Sequence, residues 1–339
     1  MDTPDWMNIF SHNPIESLLS SGNSAIIYFT KRDILGEPVE EVSILQELSA
    51  VQKIIKRQTS EGFWKSTSAN RKKHPAQNYD LLETYRHTNI LVHMYGLTRE
   101  HLCMERAAEY LFSCQTDEGD IRGIIGEQYA PYYNGIIVSS LNHAGYAEDS
   151  RVERLIQWLL TMRQDDGGWV IGSPGCMGRY TKEELNTLTT QFVGTRQDFD
   201  KIQPFAHSGT GMVIRAFSTH PIFRNSLEAK KAAQLLASNF FKKDNYSSYQ
   251  HPDNWVRFKY PFWWTDLISA LDSVSLIGLP RDHEKVAEAL EWFIEHQEPS
   301  GLWKISYSGI HKNSENSKTR ELQLWISLAI LRIYKRYYE

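Results

Sequence analysis

Several side chains in this 339-residue sequence stand where their types and spacing suit proton transfer or the binding of a charged centre. In the run Asn78, Tyr79, Asp80, Glu83, Thr84 and His87, the pair Glu83 and His87 is four residues apart. On a helix such a pair shares one face, as an acid and base couple or as an ordinary ion pair. Asp198 and Asp200, in Asp198-Phe199-Asp200-Lys201, put two carboxyls into the long connection from Gly167 to Pro204, which also carries Cys176. Connections of that length are commonly lids or binding elements, and a solvated charge pair is the plainer reading of the two acids. Asp266 ends the run Tyr260 to Asp266, YPFWWTD, where the adjacent rings of Trp263 and Trp264 point different ways on any helix. Ring faces attract cations, and the same rings serve equally as packing. Tyr129, Tyr132, Tyr133 and Asn134 around Pro131, then Phe205, His207 and Ser208, and finally Arg320, Glu321, Gln323, Leu324 and Trp325 complete the candidates. Cys176, His207 and Asp266 lack the spacing of a tetrahedral metal site, and neither an Asp-Asp-x-x-Asp cluster nor a Gly-rich phosphate loop occurs. Neither metal nor cofactor is expected.

The elements that must position these residues announce themselves as a repeat. Four segments read QTSEGFW from Gln58, QTDEGDI from Gln115, QDDGGW from Gln164 and QEPSGLW from Gln297. Gly96, Gly145 and Gly278 each end an apolar stretch nineteen residues before one of these glutamines. His220-Pro221 and Asn239 repeat the interval in degenerate form. Each unit reads as a helical hairpin: one apolar-periodic helix stops at Gly, a capped second helix follows, and a Gln-Gly turn closes it. The first helices of the pairs are expected near 23–35, 79–96, 131–144, 204–219, 261–277 and 319–337. The second helices are expected near 40–57, 99–114, 150–163, 226–240 and 283–296, with Pro14 to Leu19 completing a sixth pair. Strand signals are nearly absent, so the fold class is all-α. The division expected is an N-terminal segment, 1–22, packing on a single domain, 23–339.

Composition narrows the partners. Lys and Arg number 37 against 41 Asp and Glu, a net charge of −4, which gives no basic footprint for nucleic acid. Three scattered cysteines do not form a secreted disulfide framework, and the first residues lack a basic, apolar signal sequence, so a cytoplasmic setting is expected. No apolar run reaches the length of a spanning helix, while peripheral membrane contact and oligomeric state stay open.

The Q-x(2,3)-G-x-W segments, with helix-Gly-helix hairpins between them, resemble the prenyltransferase and squalene-oxidase repeats of terpenoid cyclases and protein prenyltransferase β subunits. The resemblance covers Gln58 to Tyr337. It implies an α/α toroid, six inner helices enclosed by six outer ones around a central cavity, with the repeat Gln, Gly and Trp holding the ring together. It also implies a small apolar, isoprenoid-like ligand in an aromatic cavity, entering where the inner helices begin. Tyr79, Asp80, Glu83, His87, Tyr132, Tyr133, His207, Trp263, Trp264, Arg320 and Trp325 are the expected binding residues. Asp198, Asp200 and Asp266 are the expected acids of a small terpene cyclase, although the family's D-x-D-D motif stands here as D-x-D-K. Two rival readings remain: a non-catalytic ring that scaffolds a protein partner, and a carbohydrate-active six-hairpin enzyme using paired carboxylates such as Asp80 or Glu83 with Asp266.

Overall fold

A computed structural model describes residues 4–72, 76–171, 200–244, 251–308 and 316–339. Twelve α-helices occur among them: α1 Ile15–Leu19, α2 Ser24–Phe29, α3 Ser49–Ile55, α4 Tyr79–Tyr95, α5 Leu102–Ser113, α6 Pro131–Leu141, α7 Ser150–Thr161, α8 His207–Ser218, α9 Leu227–Ala237, α10 Leu267–Ile277, α11 Glu284–Glu295 and α12 Ser317–Tyr338. A four-residue extended segment, Ile124–Glu127, is the described exception to an all-helical fold.

The hairpins close into a ring. The first helices of the pairs touch in sequence, α2 to α4, α4 to α6, α6 to α8, α8 to α10 and α10 to α12, and α12 returns to α2. The second helices α3, α5, α7, α9 and α11 each pack outside an inner helix, and α1 packs on α12 and α2. This is an α/α toroid. Inner helices are buried almost all round, as in α8, where every residue from His207 to Ser218 is buried. Outer helices are amphipathic: α7 buries Val152, Leu155, Ile156, Trp158 and Leu159 and leaves Glu153 and Arg154 to solvent. Among the described residues no helix is long and apolar enough to cross a membrane.

The repeat residues stitch the layers. Gln58 Nε2 donates to Gly62 O at 2.9 Å and to Cys103 O at 2.8 Å, so it joins its own turn to the next outer helix. Gln115 does the same with Gly119 O and Arg151 O, and Gln297 with Gly301 O and His12 O. Each tryptophan indole donates back to the last turn of its outer helix: Trp64 to Ile54 O at 2.8 Å, Trp169 to Leu159 O at 2.7 Å and Trp303 to Phe293 O at 2.6 Å. These carbonyls are among the groups a helix end leaves without partners. Each repeat also fixes its inner helix, because the backbone N–H of Trp64, Ile121, Trp169 and Trp303 donates to Thr84, Asn134, Thr210 and Ser327 respectively. Gly62 cannot be replaced without strain, since its φ is +91° and a Cβ there would meet Arg106 O at 2.2 Å.

One inner helix starts later than the expected 261–277. Asp266 and Ser269 form a reciprocal capping box that begins α10 at Leu267, and the preceding residues run as irregular chain into the ring.

Candidate functional site

That irregular run fills the half of the ring where the inner helices begin. The backbone carbonyls of Trp263 and Trp264 accept from Arg215 on α8 at 2.9 and 2.8 Å, and Arg215 also donates to Ser269 Oγ at 3.0 Å. Around this strut the rings pack on one another: Trp263 against Tyr85 and Tyr133, and Trp264 against Tyr132 and Tyr133. Trp263 already faces two cations of the chain itself, Arg86 at 5.2 Å and Lys259 at 5.4 Å from its ring centre. Deeper in, Tyr260 stacks on Trp325 with ring centres 5.5 Å apart and planes 8° from parallel.

The cavity therefore lies toward the opposite half. It has a volume of about 420 Å³ and is lined from the middle or second half of all six inner helices. The ordinary range for small-molecule sites begins at about 300 Å³. Because the second halves of all six helices reach one cavity, the six run in the same sense. This corrects the expectation of an opening where the inner helices begin, and the reason is the chain's own Tyr260 to Thr265 segment, pinned there by Arg215.

The cavity wall mixes apolar side chains, among them Phe29, Val92, Ile136, Phe262, Leu276 and Ala329, with polar and charged ones. Four guanidiniums, those of Arg32, Arg215, Arg332 and Arg336, stand against two carboxylates, Asp33 and Asp272. Arg332 donates through Nε and Nη2 to Asp33 and through Nη1 to Tyr260 Oη at 3.2 Å. Arg336 pairs with Asp272. Burial works to raise the Asp33 carboxyl, but Arg332 and Arg32 outweigh it and hold the group below its ordinary range. Arg215 has no such partner. It is 5% exposed, no described carboxylate forms an ion pair with it, and its Nε is buried without a hydrogen bond. Desolvation accordingly lowers its affinity for the proton.

Two histidines complete the wall. His93 on α4 and His143 meet edge to face with ring centres 4.6 Å apart. His143 sits on a π-helical turn, Asn142–Tyr146, where Gly145 turns the chain at φ +91°. Arg32 and Asp33 come from another, Thr30–Leu35. Such wide turns displace side chains from the regular helical register and occur often at functional sites. The Nδ1 of His143 is 2.9 Å from Ser139 O. A carbonyl can only accept, so Nδ1 carries the proton and Nε2 of the neutral ring is bare. Burial pushes the proton affinity of both histidines down; Arg332 works in the same direction on each, and on His143 the Ser139 carbonyl and Asp272 work against it.

The remaining candidates fall in different places. Asp80 receives Ser66 N at 2.8 Å and pairs with Arg71 at 2.6 Å. Glu83 pairs with Arg86 at 3.2 Å, and His87 Nδ1 donates to Glu83 O at 3.0 Å while its ring stacks on Trp64 at 5.1 Å. Tyr79 is half-buried at the start of α4, and Tyr132 is buried in the aromatic cluster. His207 lies 3.5 Å from Asp244, whose carboxylate receives Ser208 Oγ at 2.8 Å. Asp266 is buried in its cap, with burial raising its carboxyl to about 6 against the opposing pull of Ser269 and Arg215. Asp200 is exposed and holds a turn through Ile202 N and Gln203 Nε2, and Arg320 is exposed on α12. Asp198 and Cys176 lie outside the described residues. Of all these, none lines the cavity; Tyr85, Asn89, His93, His143, Arg215, Arg332 and Arg336 do. Among the described residues no three His, Cys, Asp or Glu side chains converge as a metal would require.

The neutral histidines give a pH dependence with a definite sign. His87, His93, His101, His143, His207 and His220 all have folded-state values below 6.5, chiefly through burial. The unfolded chain then binds more protons than the folded one once the pH falls below that value, so stability present above it is lost on acidification. Asp266 alone among these groups opposes, being raised. Thermal unfolding followed from neutral pH downward is expected to show a falling midpoint below about pH 6.5. A midpoint that holds or rises there would contradict the buried, neutral state of these rings.

No protein-family model matches the chain, and no curated protein matches it. Among solved structures, a glycosyl hydrolase family 88 protein from Bacteroides vulgatus is 12% identical over 98% of this chain and 97% of that one, with a TM-score of 0.49. A polysaccharide lyase is 12% identical over 96% and 93%, with a TM-score of 0.46. The type II terpene cyclase MstE from Scytonema is 12% identical over 87% and 98%, with a TM-score of 0.31. Likenesses this distant carry no activity over to this chain, and the toroid rests on its own helix contacts.

Proposed function

We propose that this toroid binds a small organic anion in its central cavity and acts on it as an enzyme. The observation that carries the reading is Arg215, a buried guanidinium that borders the cavity, forms no ion pair with a described carboxylate and feels Asp266 and Asp272 only through space. Leaving such a charge unpaired costs several kcal/mol, on the order of the cost of breaking a buried ion pair, and an anionic ligand would remove it. Arg332 and Arg336 supply further cationic wall, and the apolar side of the cavity suits a ligand with a hydrophobic or ring-shaped body. A prenyl diphosphate would join the isoprenoid body implied by the repeat to an anionic head, while a uronate would bring a carboxylate on a hydroxylated ring.

Calorimetry with geranyl diphosphate, D-glucuronate, mandelate, inorganic phosphate and the neutral polyene squalene separates these sources. Binding by an organic anion, weakened as salt is added and absent in Arg215→Met, is the expected result. Squalene binding with no anion binding would overturn it.

A further inference from the structure

His143 is the cavity's unused base. Its Nδ1 is committed to Ser139 O, its Nε2 is bare, and its ring is accessible from the cavity although it lies deep within the ring of helices. The charged and titratable groups that share its cavity are His93 and Tyr85 from α4, Asp272 from α10, Arg215 from α8, Arg332 and Arg336 from α12, and Arg32 and Asp33 from the turn after α2. Arg332 acts on the imidazole against the opposing pull of Asp272, and the cavity as a whole holds four guanidiniums to two carboxylates. A base in that setting has one kind of step open to it that the surroundings would favour: removing a proton so that negative charge develops on a ligand already held among guanidiniums.

Resting on the anion-binding reading above, we propose that His143 is the general base of this site and that its substrate is a carboxylic acid with a hydrogen on the carbon next to the carboxylate. In the step, that carbon–hydrogen bond breaks, the proton passes to Nε2 of His143, and the bond's electron pair moves into the carboxylate to give an enediolate. The guanidiniums of Arg215, Arg332 and Arg336 stabilise the added charge. The imidazolium exchanges its proton with cavity water and returns one to the same carbon, so nothing is oxidised or reduced. A neutral histidine set deep among the helices but open to the cavity suits the task, because the free base is the form present at neutral pH.

The test is hydrogen exchange at that carbon. Protein in D2O is incubated with D-glucuronate, D-galacturonate or mandelate, and deuterium at the position next to the carboxylate is read by NMR while binding is measured by calorimetry. The expected result is exchange of at least one of these acids by the wild type, lost by a factor of about a hundred or more in His143→Gln, with affinity for the acid kept. The pH profile of the exchange should rise toward neutrality as the imidazole loses its proton. Binding without exchange, or exchange that survives in His143→Gln, overturns the assignment of His143 and leaves the anion site standing. Failure of every carboxylate and of geranyl diphosphate to bind overturns both, whereas binding of geranyl diphosphate alone keeps the anion site and removes the carboxylic-acid substrate.

Discussion

Arg215→Met is expected to destabilise the folded protein by about 2–4 kcal/mol and to abolish anion binding at the same time. The size follows from two opposed terms. Removing the guanidinium takes the charged donor from Trp263 O, Trp264 O and Ser269 Oγ, and each buried acceptor that loses a partner costs about 1–3 kcal/mol. Against this, a buried charge without a carboxylate is itself expensive, and an apolar side chain of similar length recovers part of that cost. The hydrogen bonds win because Arg215 is a strut as well as a charge: with Thr265 Oγ1 on Ser208 O and Tyr260 Oη on His93 O it holds the Tyr260 to Thr265 segment inside the ring. Urea unfolding measures the first effect and calorimetry with the acids named above the second. Arg215→Lys separates them, since an ammonium keeps the charge and cannot reach three acceptors in the geometry of a guanidinium. It should lose most of the stability and keep measurable anion affinity. A stable Arg215→Met protein that still binds anions would remove the central premise of the functional reading.

The ring was legible in the sequence because its signal is repeated and local. Three glycines at one interval before a Gln-Gly turn describe the same hairpin several times over, and the hydrogen bonds of Gln58, Gln115 and Gln297 show what each copy holds. The start of α10 was not legible, since the apolar run through Trp263 and Trp264 has helical composition. Its carbonyls are met by Arg215, some fifty residues away in sequence and adjacent only in the folded ring, and the helix begins only at the Asp266–Ser269 capping box. The cavity residues escaped for a related reason. Tyr85, Asn89 and His93, Ser139 and His143, and Arg332 and Arg336 follow one another at four-residue intervals on otherwise apolar helices. That spacing marks a polar stripe on a buried helix, a signal available without coordinates. The aromatic clusters and the helix starts point instead to the filled half of the ring. In the filled half, aromatic density expresses packing around an inserted segment; in the open half, arginine and histidine line the cavity to which the proposed anion is assigned.

Trp169→Ala and Trp264→Ala turn that division into a measurement. Trp169 is fully buried, its indole N–H satisfies Leu159 O at 2.7 Å, and its ring packs on Phe217 at 5.5 Å. Truncating it leaves a large cavity between an outer and an inner helix and removes one of the two donors to Leu159 O, for a loss of about 3–5 kcal/mol. Trp264 is half-buried, its backbone rather than its indole is held by Arg215, and its ring contributes contacts to Tyr132 at 6.2 Å and Tyr133 at 6.4 Å. Losing two ring contacts of that kind costs about 1–2 kcal/mol. Neither ring lines the cavity, so both variants that fold should bind the anion with wild-type affinity. Urea unfolding and calorimetry on the two proteins check this together. A Trp264→Ala protein of unchanged stability that has lost its ligand would move the binding site to the aromatic half of the ring and restore a cation-stabilising role for these faces, because the segment that fills that half would then have to open for the ligand.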